Sequence, residues 1–384
     1  VTITALVVAY TLTGGLKAVI RTDVVQGVIA LGLLWLGLAI VVNDSGGLSS
    51  VMATISSSED TAGLLSRTGN YTLLIWTSTM ILWLFADPMF PQLYQRLCAA
   101  ESDESIGRMA TFYPTVAWLA FLPPILIGTI GHIYHPGLDR SGGDNILPTL
   151  ILEVGGEWFG GLVLVAGLAA LMSTMDSQLL ATGSLVTRDL LTSVSDNKWG
   201  RELVIVSLSI LGLLLSLWSD LSILDLGLLA FSMYAVMFPS VFLVANWDSV
   251  DGRAVISSII AGEAIVILAV FSPESFDGWW IRPEGGAMPT VVIPSIMASI
   301  VALVAAQWYF NKGPGFFGSM EIKWGALIPV IPFIVIFTLA QDFWWWDNSS
   351  NFALGLPVWI WWSAALSIVQ TAVMARIVQL DTQR

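Results

Sequence analysis

Eleven long apolar segments constrain the fold of this chain more than any other feature. Most have the roughly 17 to 25 residues that an α-helix needs to cross a bilayer. Because unpaired backbone groups are not tolerated in lipid, and the short alternation of barrel strands is missing, we predict helices. With 56% hydrophobic and 11% charged residues, the 384-residue chain is predicted to be an all-α integral membrane protein. The segments fall at about 1–12, 22–42, 72–95, 109–134, 159–187, 202–219, 222–245, 254–272, 289–310, 324–341 and 355–378.

Composition excludes several classes of function. A net charge of -13 would repel a phosphate backbone, so we expect no nucleic-acid partner. One cysteine, Cys98, and two histidines, His132 and His135, leave too few ligands for a zinc site and lack acid–base partners within the helices. We therefore expect that the protein is not an enzyme. Because Val1 lies inside an apolar stretch without an initiator methionine, we expect a chain that begins within a longer protein.

Lysine and arginine predict the orientation, since cytoplasmic loops of membrane proteins are enriched in both. If the segment 14–21 is a cytoplasmic turn and the spans alternate, only Arg67, Arg140 and Arg282 of the 15 basic residues lie outside. We therefore predict a multi-pass protein of the cell membrane with a cytoplasmic C-terminus. The inner set comprises Lys17, Arg21, Arg96, Arg108, Arg188, Lys198, Arg201, Arg253, Lys312, Lys323, Arg376 and Arg384.

Asp23, Asp87, Asp176 and Glu263 fall within apolar segments, and Asp225 lies near the outer end of another. Charged groups there are expensive, and they usually face a bundle interior or an ion path. Asp176 lies in the segment 167–184, where helical spacing places Ala170, Ser173, Thr174 and Ser177 on one face with Asp176 at its edge. Such small polar faces often serve only helix packing. The alternative is a sodium site, because a hard cation prefers hydroxyl, carbonyl and carboxylate oxygens.

The segment at 72–95 contains Asp87, Pro88 and Pro91 near its inner half. Proline removes a backbone donor and clashes with the preceding turn, so we predict a kink or break here. Such kinks are often structural, but interrupted helices also line the central site of transporters. In the second case, Trp83, Asp87 and Phe90 would lie closest to a substrate.

At these residues the sequence resembles the sodium:solute symporter family. The stretch YTLTGGLKAVIRTDVVQG at 10–27 is similar to a family motif with a Gly-Gly pair and a Thr-Asp pair, and LAALMSTMDSQLL at 168–180 is similar to its sodium-site helix. PQLYQR at 91–96 resembles the inner end of its broken helix. Together these matches cover most of residues 1–245, and the strings around 89–96 and 173–178 look closest to monocarboxylate and related organic-acid carriers.

The resemblance implies a LeuT-type bundle of two inverted five-helix repeats. The spans at 1–12 and 22–42 would end the first repeat, whose first three core helices would be missing, and the five spans from 72 to 245 would form the second. Residues 1–245 would then be a partial transporter core, and residues 246–384 peripheral transmembrane helices.

The resemblance also implies roles for individual residues. The Ala170 carbonyl and the hydroxyls of Ser173 and Thr174 would bind one sodium ion. Asp23 matches a carboxylate near the inner sodium exit, which in some members joins Ser173, Ser177 and the residue at position 176 in a second site. Asp176 replaces a hydroxyl residue there, so a shared proton is an alternative. Asp87 replaces the tyrosine of proline carriers, which argues against proline as the substrate.

We therefore expect a secondary active transporter that brings a small organic solute, such as an organic acid or amino acid, into the cell with sodium by alternating access. We expect Na⁺ as the coupling ion, the lipid bilayer as the environment, and function as a monomer. A proton-coupled symporter is one alternative. A transporter-like membrane sensor is another, and it would require a signalling domain in the full-length protein.

Overall fold

The computed structural model describes residues 2–66, 72–138, 140–191, 199–218, 222–247, 249–272, 291–311, 330–346 and 351–382. These parts of the chain form α-helices and one two-stranded hairpin, in which β1 (Phe352–Ala353) pairs antiparallel with β2 (Leu356–Pro357). The helices are α1 (Thr2–Asp44), α2 (Leu48–Ser57), α3 (Glu59–Ala62), α4 (Leu73–Ala86), α5 (Pro91–Cys98), α6 (Asp103–Tyr134), α7 (Arg140–Leu185), α8 (Gly200–Trp218), α9 (Ile223–Asn246), α10 (Gly252–Phe271), α11 (Val292–Phe310), α12 (Ile331–Ala340) and α13 (Val358–Thr382).

Within the described residues, eight helical segments are long and apolar enough to span a membrane, and the bent pair of α4 and α5 makes a ninth. Two shorter apolar segments, Thr2–Leu12 and Ile331–Trp345, coincide with the remaining predicted runs. Within an apolar stretch of 18 residues in each long span, only between 11% and 33% is buried inside the protein. Apolar surface of that extent needs a lipid environment, so the prediction of a multi-pass all-α membrane protein is confirmed.

The predicted turn at 14–21 is wrong. The backbone of α1 is helical from Thr2 to Asp44 and includes this segment. The segment contains no proline, and its two glycines, Gly14 and Gly15, each cost a helix only about 1 kcal/mol relative to alanine. That cost is too small by itself to end a helix.

The predicted break in the span at 72–95 is confirmed. Helix α4 continues into a 3₁₀ turn at Asp87–Met89, and this helical stretch meets α5 at an angle of 47°. A second interruption lies in α7, where Gly156 has φ 74° and ψ 172°. Only glycine adopts that conformation readily, so Gly156 separates a first helical piece, residues 140–155, from the rest of α7.

One structural unit comprises Val1–Leu65, Gln95–Asp220 and Ser350–Val378. Its largest apolar core lies where α1, α2, α6 and the first part of α7 pack together, around Met52, Ile127 and Leu150. Indole nitrogens add hydrogen bonds between helices: Trp35 donates to the Leu119 carbonyl at 2.9 Å. A second core is formed by α1, α7 and α8 and contains Val7, Leu180, Ile205 and their neighbours. This second core supports the polar residues described below.

The other unit comprises Ser66–Tyr94, Leu221–Ser349 and Gln379–Arg384. Here α9, α10 and α11 pack through small and hydroxyl residues. The Ser258 hydroxyl lies 2.8 Å from the Ser299 hydroxyl and accepts a hydrogen bond from Ser240 at 2.9 Å. Gly262 on α10 allows a close approach to the Ser295 carbonyl, because an added Cβ would lie 3.0 Å from that oxygen. Close packing through small residues is typical of membrane helices.

Candidate functional site

Asp23 on α1 is the centre of a polar cluster against α7. The Ser173 hydroxyl donates to Asp23 Oδ1, and a terminal guanidinium nitrogen of Arg96 forms an ion pair with Oδ2. The same nitrogen donates to the Ser177 hydroxyl at 2.6 Å, and Ser177 lies 3.5 Å from Asp23 Oδ2. The Asp23 side chain is only 12% exposed. The Arg96 guanidinium therefore supplies its counter-charge, and the two serine hydroxyls add hydrogen bonds.

Asp176 lies on the other side of Ser177 and is fully buried. The Tyr10 hydroxyl donates to Asp176 Oδ2 at 2.6 Å, and the Ser177 hydroxyl lies 3.3 Å from Oδ1. Ser177 has one hydroxyl proton, so it can donate to Asp176 or to Asp23, but not fully to both. Two carboxylates are thus joined through one hydroxyl, with a phenol on one side and a guanidinium on the other.

The structure brings together four of the six predicted sodium ligands: Asp23, Ser173, Asp176 and Ser177. The other two, Ala170 and Thr174, are joined to each other by a hydrogen bond of 3.2 Å from the Thr174 hydroxyl to the Ala170 carbonyl. Thr174 is exposed on the helix surface. These two residues therefore lie on the same helix as the cluster but form no part of its hydrogen-bond network among the described residues.

The cluster fits a monovalent cation better than a divalent one. It offers two carboxylates and two hydroxyls, and the described residues contain no group of three or more histidine, cysteine, aspartate or glutamate side chains able to hold a metal. Two carboxylates and the Arg96 guanidinium leave one net negative charge, which matches a hard monovalent ion bound through several oxygens. The guanidinium of Arg96 already supplies one positive charge to the same oxygens.

Sequence reasoning missed the contributions of Arg96 and Tyr10. The sequence places Arg96 on the inner side, by the excess of positive charge there, and at the inner end of the motif at 91–96, but gives it no role at the ion site. Its signal in the sequence is its position six residues after Phe90, at the end of the interrupted span. Tyr10 opens the Gly-Gly motif, but spacing alone cannot place a residue of α1 opposite Asp176, 166 residues later.

The three predicted substrate residues lie at the break after α4. Trp83 and Asp87 are one helical turn apart, and Phe90 follows the 3₁₀ turn, with its amide donating to the Asp87 carbonyl at 3.3 Å. The Phe231 ring of α9 packs against Trp83 at 4.7 Å and against Phe90 at 5.2 Å between centroids. Tyr234, one turn further along α9, meets Phe90 at 5.1 Å. An aromatic cluster therefore lines the break, and the sequence predicts only two of its members, Trp83 and Phe90.

Multiple apolar spans, a proline-interrupted helix and carboxylates held within helices are together typical of secondary transporters. The chain belongs to the sodium:solute symporter family, whose family model matches residues 1–262. The resemblance stated from the sequence motifs is thereby confirmed.

Characterised relatives include two kinds of symporter. The chain is 27% identical over 269 residues to a sodium/pantothenate symporter of Haemophilus influenzae, covering 67% of this chain and 55% of the relative. It is 30% identical over 280 residues to the high-affinity proline transporter PutP of Bacillus subtilis, covering 69% and 58%, and 25% identical over 278 residues to a sodium/proline symporter of Escherichia coli, covering 69% and 55%. The chain thus spans a little over half the length of these relatives.

Proposed function

We propose that the protein performs sodium-coupled symport of a small organic solute into the cell by alternating access. It would act as a monomer in the cell membrane, with a cytoplasmic C-terminus. Membership of a family of sodium-coupled carriers supports this proposal. The observation that carries it is the convergence of Ser173, Ser177 and Arg96 on Asp23, because a carboxylate that holds a guanidinium between two hydroxyls is suited to hold a metal cation.

Sodium at this cluster would supply the driving force. Moving one charge through 100 mV is worth about 2.3 kcal/mol, and a second ion at Asp176 would roughly double that. The bound ion would stabilise the conformation that accepts solute from outside. Asp23, Ser173 and Ser177 would hold it, and the neighbouring Asp176 carboxylate would attract it electrostatically. A separate ion at the Ala170 carbonyl would require the Thr174 hydroxyl to turn away from that carbonyl and accept the ion instead.

We further propose a partial LeuT-type architecture, with residues 1–245 as core and 246–384 as peripheral helices. The break between α4 and α5 supports this arrangement, because discontinuous helices form the binding sites of such transporters. Solute would bind at this break, near Trp83, Asp87 and Phe90. Relatives named for proline and pantothenate favour a carboxylate-bearing solute, that is, an organic acid or amino acid.

Uptake by the full-length protein in proteoliposomes tests the proposal. Radiolabelled proline and pantothenate are the first probes, with an inward gradient of sodium or, as control, of potassium. We expect uptake only with sodium, and a strong loss in the Ser173→Ala/Thr174→Ala double variant. Ser184→Ala is the matched control, because the Ser184 hydroxyl bonds only the Leu180 carbonyl of its own helix among the described residues, at 2.8 Å. Uptake indifferent to sodium, or unchanged in the double variant, would refute the proposal.

A proton-coupled carrier is the second candidate. The pairing of buried Asp176 with the Tyr10 hydroxyl favours it, because two neighbouring carboxylates bridged by one hydroxyl can share a proton instead of binding an ion. Uptake that persists without sodium and is abolished by a protonophore would select this mechanism.

A further inference from the structure

We infer that Arg96 is a tethered counter-ion that competes with the coupling cation for Asp23, so that sodium binds only when the guanidinium withdraws. This inference rests on the proposed function and adds a control element to it. Neither the sequence motifs nor the family membership assigns Arg96 this role at the ion site.

The guanidinium and a sodium ion would use the same oxygens. One terminal nitrogen of Arg96 contacts Asp23 Oδ2 and also lies 2.6 Å from the Ser177 hydroxyl oxygen. An ion held by Asp23 and Ser177 would occupy that position. Two positive charges a few ångströms apart repel strongly in a partly buried site, so the two occupants exclude each other. Exchange of one for the other keeps the charge of the site constant.

Arg96 is less enclosed than its partner. Its side chain is 34% exposed, against 12% for Asp23, so part of it already lies at the protein surface. Among the described residues its Nε has no hydrogen-bond acceptor, and the guanidinium is therefore not fully satisfied in this position. Arginine side chains have several rotatable bonds and extend readily to solvent.

The position of Arg96 in the chain supports a movable role. It lies on α5, an eight-residue helix that follows the proline break at a 47° bend. Short helical segments beside a break are common hinge elements. A small reorientation of α5 would therefore withdraw the guanidinium and free Asp23, Ser173 and Ser177 for the ion.

If the ion pair were permanent and purely structural, removal of Arg96 would have the opposite effect on sodium binding. If Arg96 only held α5 against α1, its removal would leave Asp23 without its counter-charge and loosen the cluster that binds the ion. Sodium affinity would then fall or stay unchanged. If Arg96 competes with sodium, its removal increases the fraction of protein able to bind the ion, and the apparent affinity rises by the same factor.

Equilibrium binding of ²²Na⁺ to the purified full-length protein, measured without solute, separates the two roles. We expect Arg96→Gln to lower the half-saturating sodium concentration about threefold to tenfold. Arg96→Lys keeps the charge but loses the planar guanidinium group, so it should lower the half-saturating sodium concentration by a smaller factor. Arg108→Gln is the matched control, because Arg108 forms only an exposed pair with Glu104 among the described residues, at 3.7 Å, and should leave the value unchanged.

The outcomes distinguish this inference from the proposed function. Wild-type protein that binds no sodium would contradict the proposed function itself. Wild-type protein that binds sodium, with unchanged or weaker binding in Arg96→Gln, would overturn only the competition by Arg96. If Arg96→Gln does not fold, Arg96→Lys decides the question, since sodium affinity equal to or below that of the wild type overturns the inference as well.

Discussion

The Tyr10 hydroxyl donates a hydrogen bond of 2.6 Å to Asp176 Oδ2, and this contact joins the first part of α1 to the middle of α7. The same hydroxyl lies 3.3 Å from the Met172 carbonyl. Asp176 has no exposed surface, so its charge depends on donors supplied by the protein. A buried charge without donors is costly, which makes Tyr10 a structural support of the cluster around Asp23.

We expect Tyr10→Phe to destabilise the protein. The variant keeps the ring but leaves Asp176 Oδ2 without its phenolic donor, and loss of a hydrogen bond to a charged group costs about 1.5 to 3 kcal/mol. Thermal unfolding in detergent measures the effect. Tyr309→Phe is the matched control, because Tyr309 is 64% exposed on α11. Equal unfolding temperatures for Tyr10→Phe and wild type would contradict the role assigned to this contact.

Gly156 provides a second test, of the break within α7. Its φ of 74° and ψ of 172° lie in a region that other residues avoid, so Gly156→Ala should lower the free energy of unfolding by about 1 to 3 kcal/mol. Gly161→Ala is the control, since an added Cβ there meets nothing within 4 Å and the backbone is helical. Alanine at 161 should be neutral or slightly stabilising. Equal destabilisation by both substitutions would show that the break itself does not matter.

The sequence predicts the helices well because hydropathy and proline act locally. The spans follow from their apolar length, and the break after α4 follows from Pro88 and Pro91. The helical backbone at 14–21 was not predicted, because paired glycines and a lysine are equally common in turns. The side-chain network was predicted only in part. Helical spacing correctly grouped Ser173 with Ser177, but it could not reveal that Thr174 faces outward.

Local sequence patterns cannot predict contacts between residues that are far apart in the chain. Arg96 and Asp23 are 73 residues apart, and their ion pair depends on how α5 lies against α1. The same limit applies to Phe231, which contacts Trp83 and Phe90 through the packing of α9 against the break. Nothing in the composition of α9 distinguishes Phe231 from its other aromatic residues.

The pair of Asp251 and Arg253 at the start of α10 predicts a dependence of stability on pH. Arg253 donates to Asp251 from its side chain, at 2.7 and 3.0 Å, and from its backbone amide at 2.8 Å. These hydrogen bonds lower the pKa of Asp251 from 3.8 to about 2. Because the folded-state pKa is lowered, the stabilisation is complete above pH 3.8 and is lost as the pH falls toward 2.

We therefore compare wild type with Asp251→Asn, which retains a good N-cap residue but removes the charge. The wild type should unfold at a higher temperature near neutral pH, and the difference should shrink between about pH 4 and pH 2. Glu101→Gln, at an exposed position, serves as control. A difference that grows on acidification would contradict the assigned direction of the pKa shift.

Phe231 provides a test of the proposed solute site. Its ring lies within 4.7 Å of Trp83 and 5.2 Å of Phe90, the residues on either side of Asp87 at the break. We expect Phe231→Ala to raise the KM for solute about tenfold, because both rings lose the partner that fixes their positions and a tenfold change needs only about 1.4 kcal/mol. Uptake of the transported solute at saturating sodium measures this KM.

Phe271→Ala is the matched control for this variant, since Phe271 is 82% exposed at the end of α10. Sodium binding without solute should remain at the wild-type level in both variants, because the Asp23 cluster uses neither ring. An unchanged KM in Phe231→Ala would contradict the placement of the solute site at the break. A parallel loss of sodium binding would instead indicate general damage to the fold, because a change confined to the solute site leaves ion binding in the absence of solute intact.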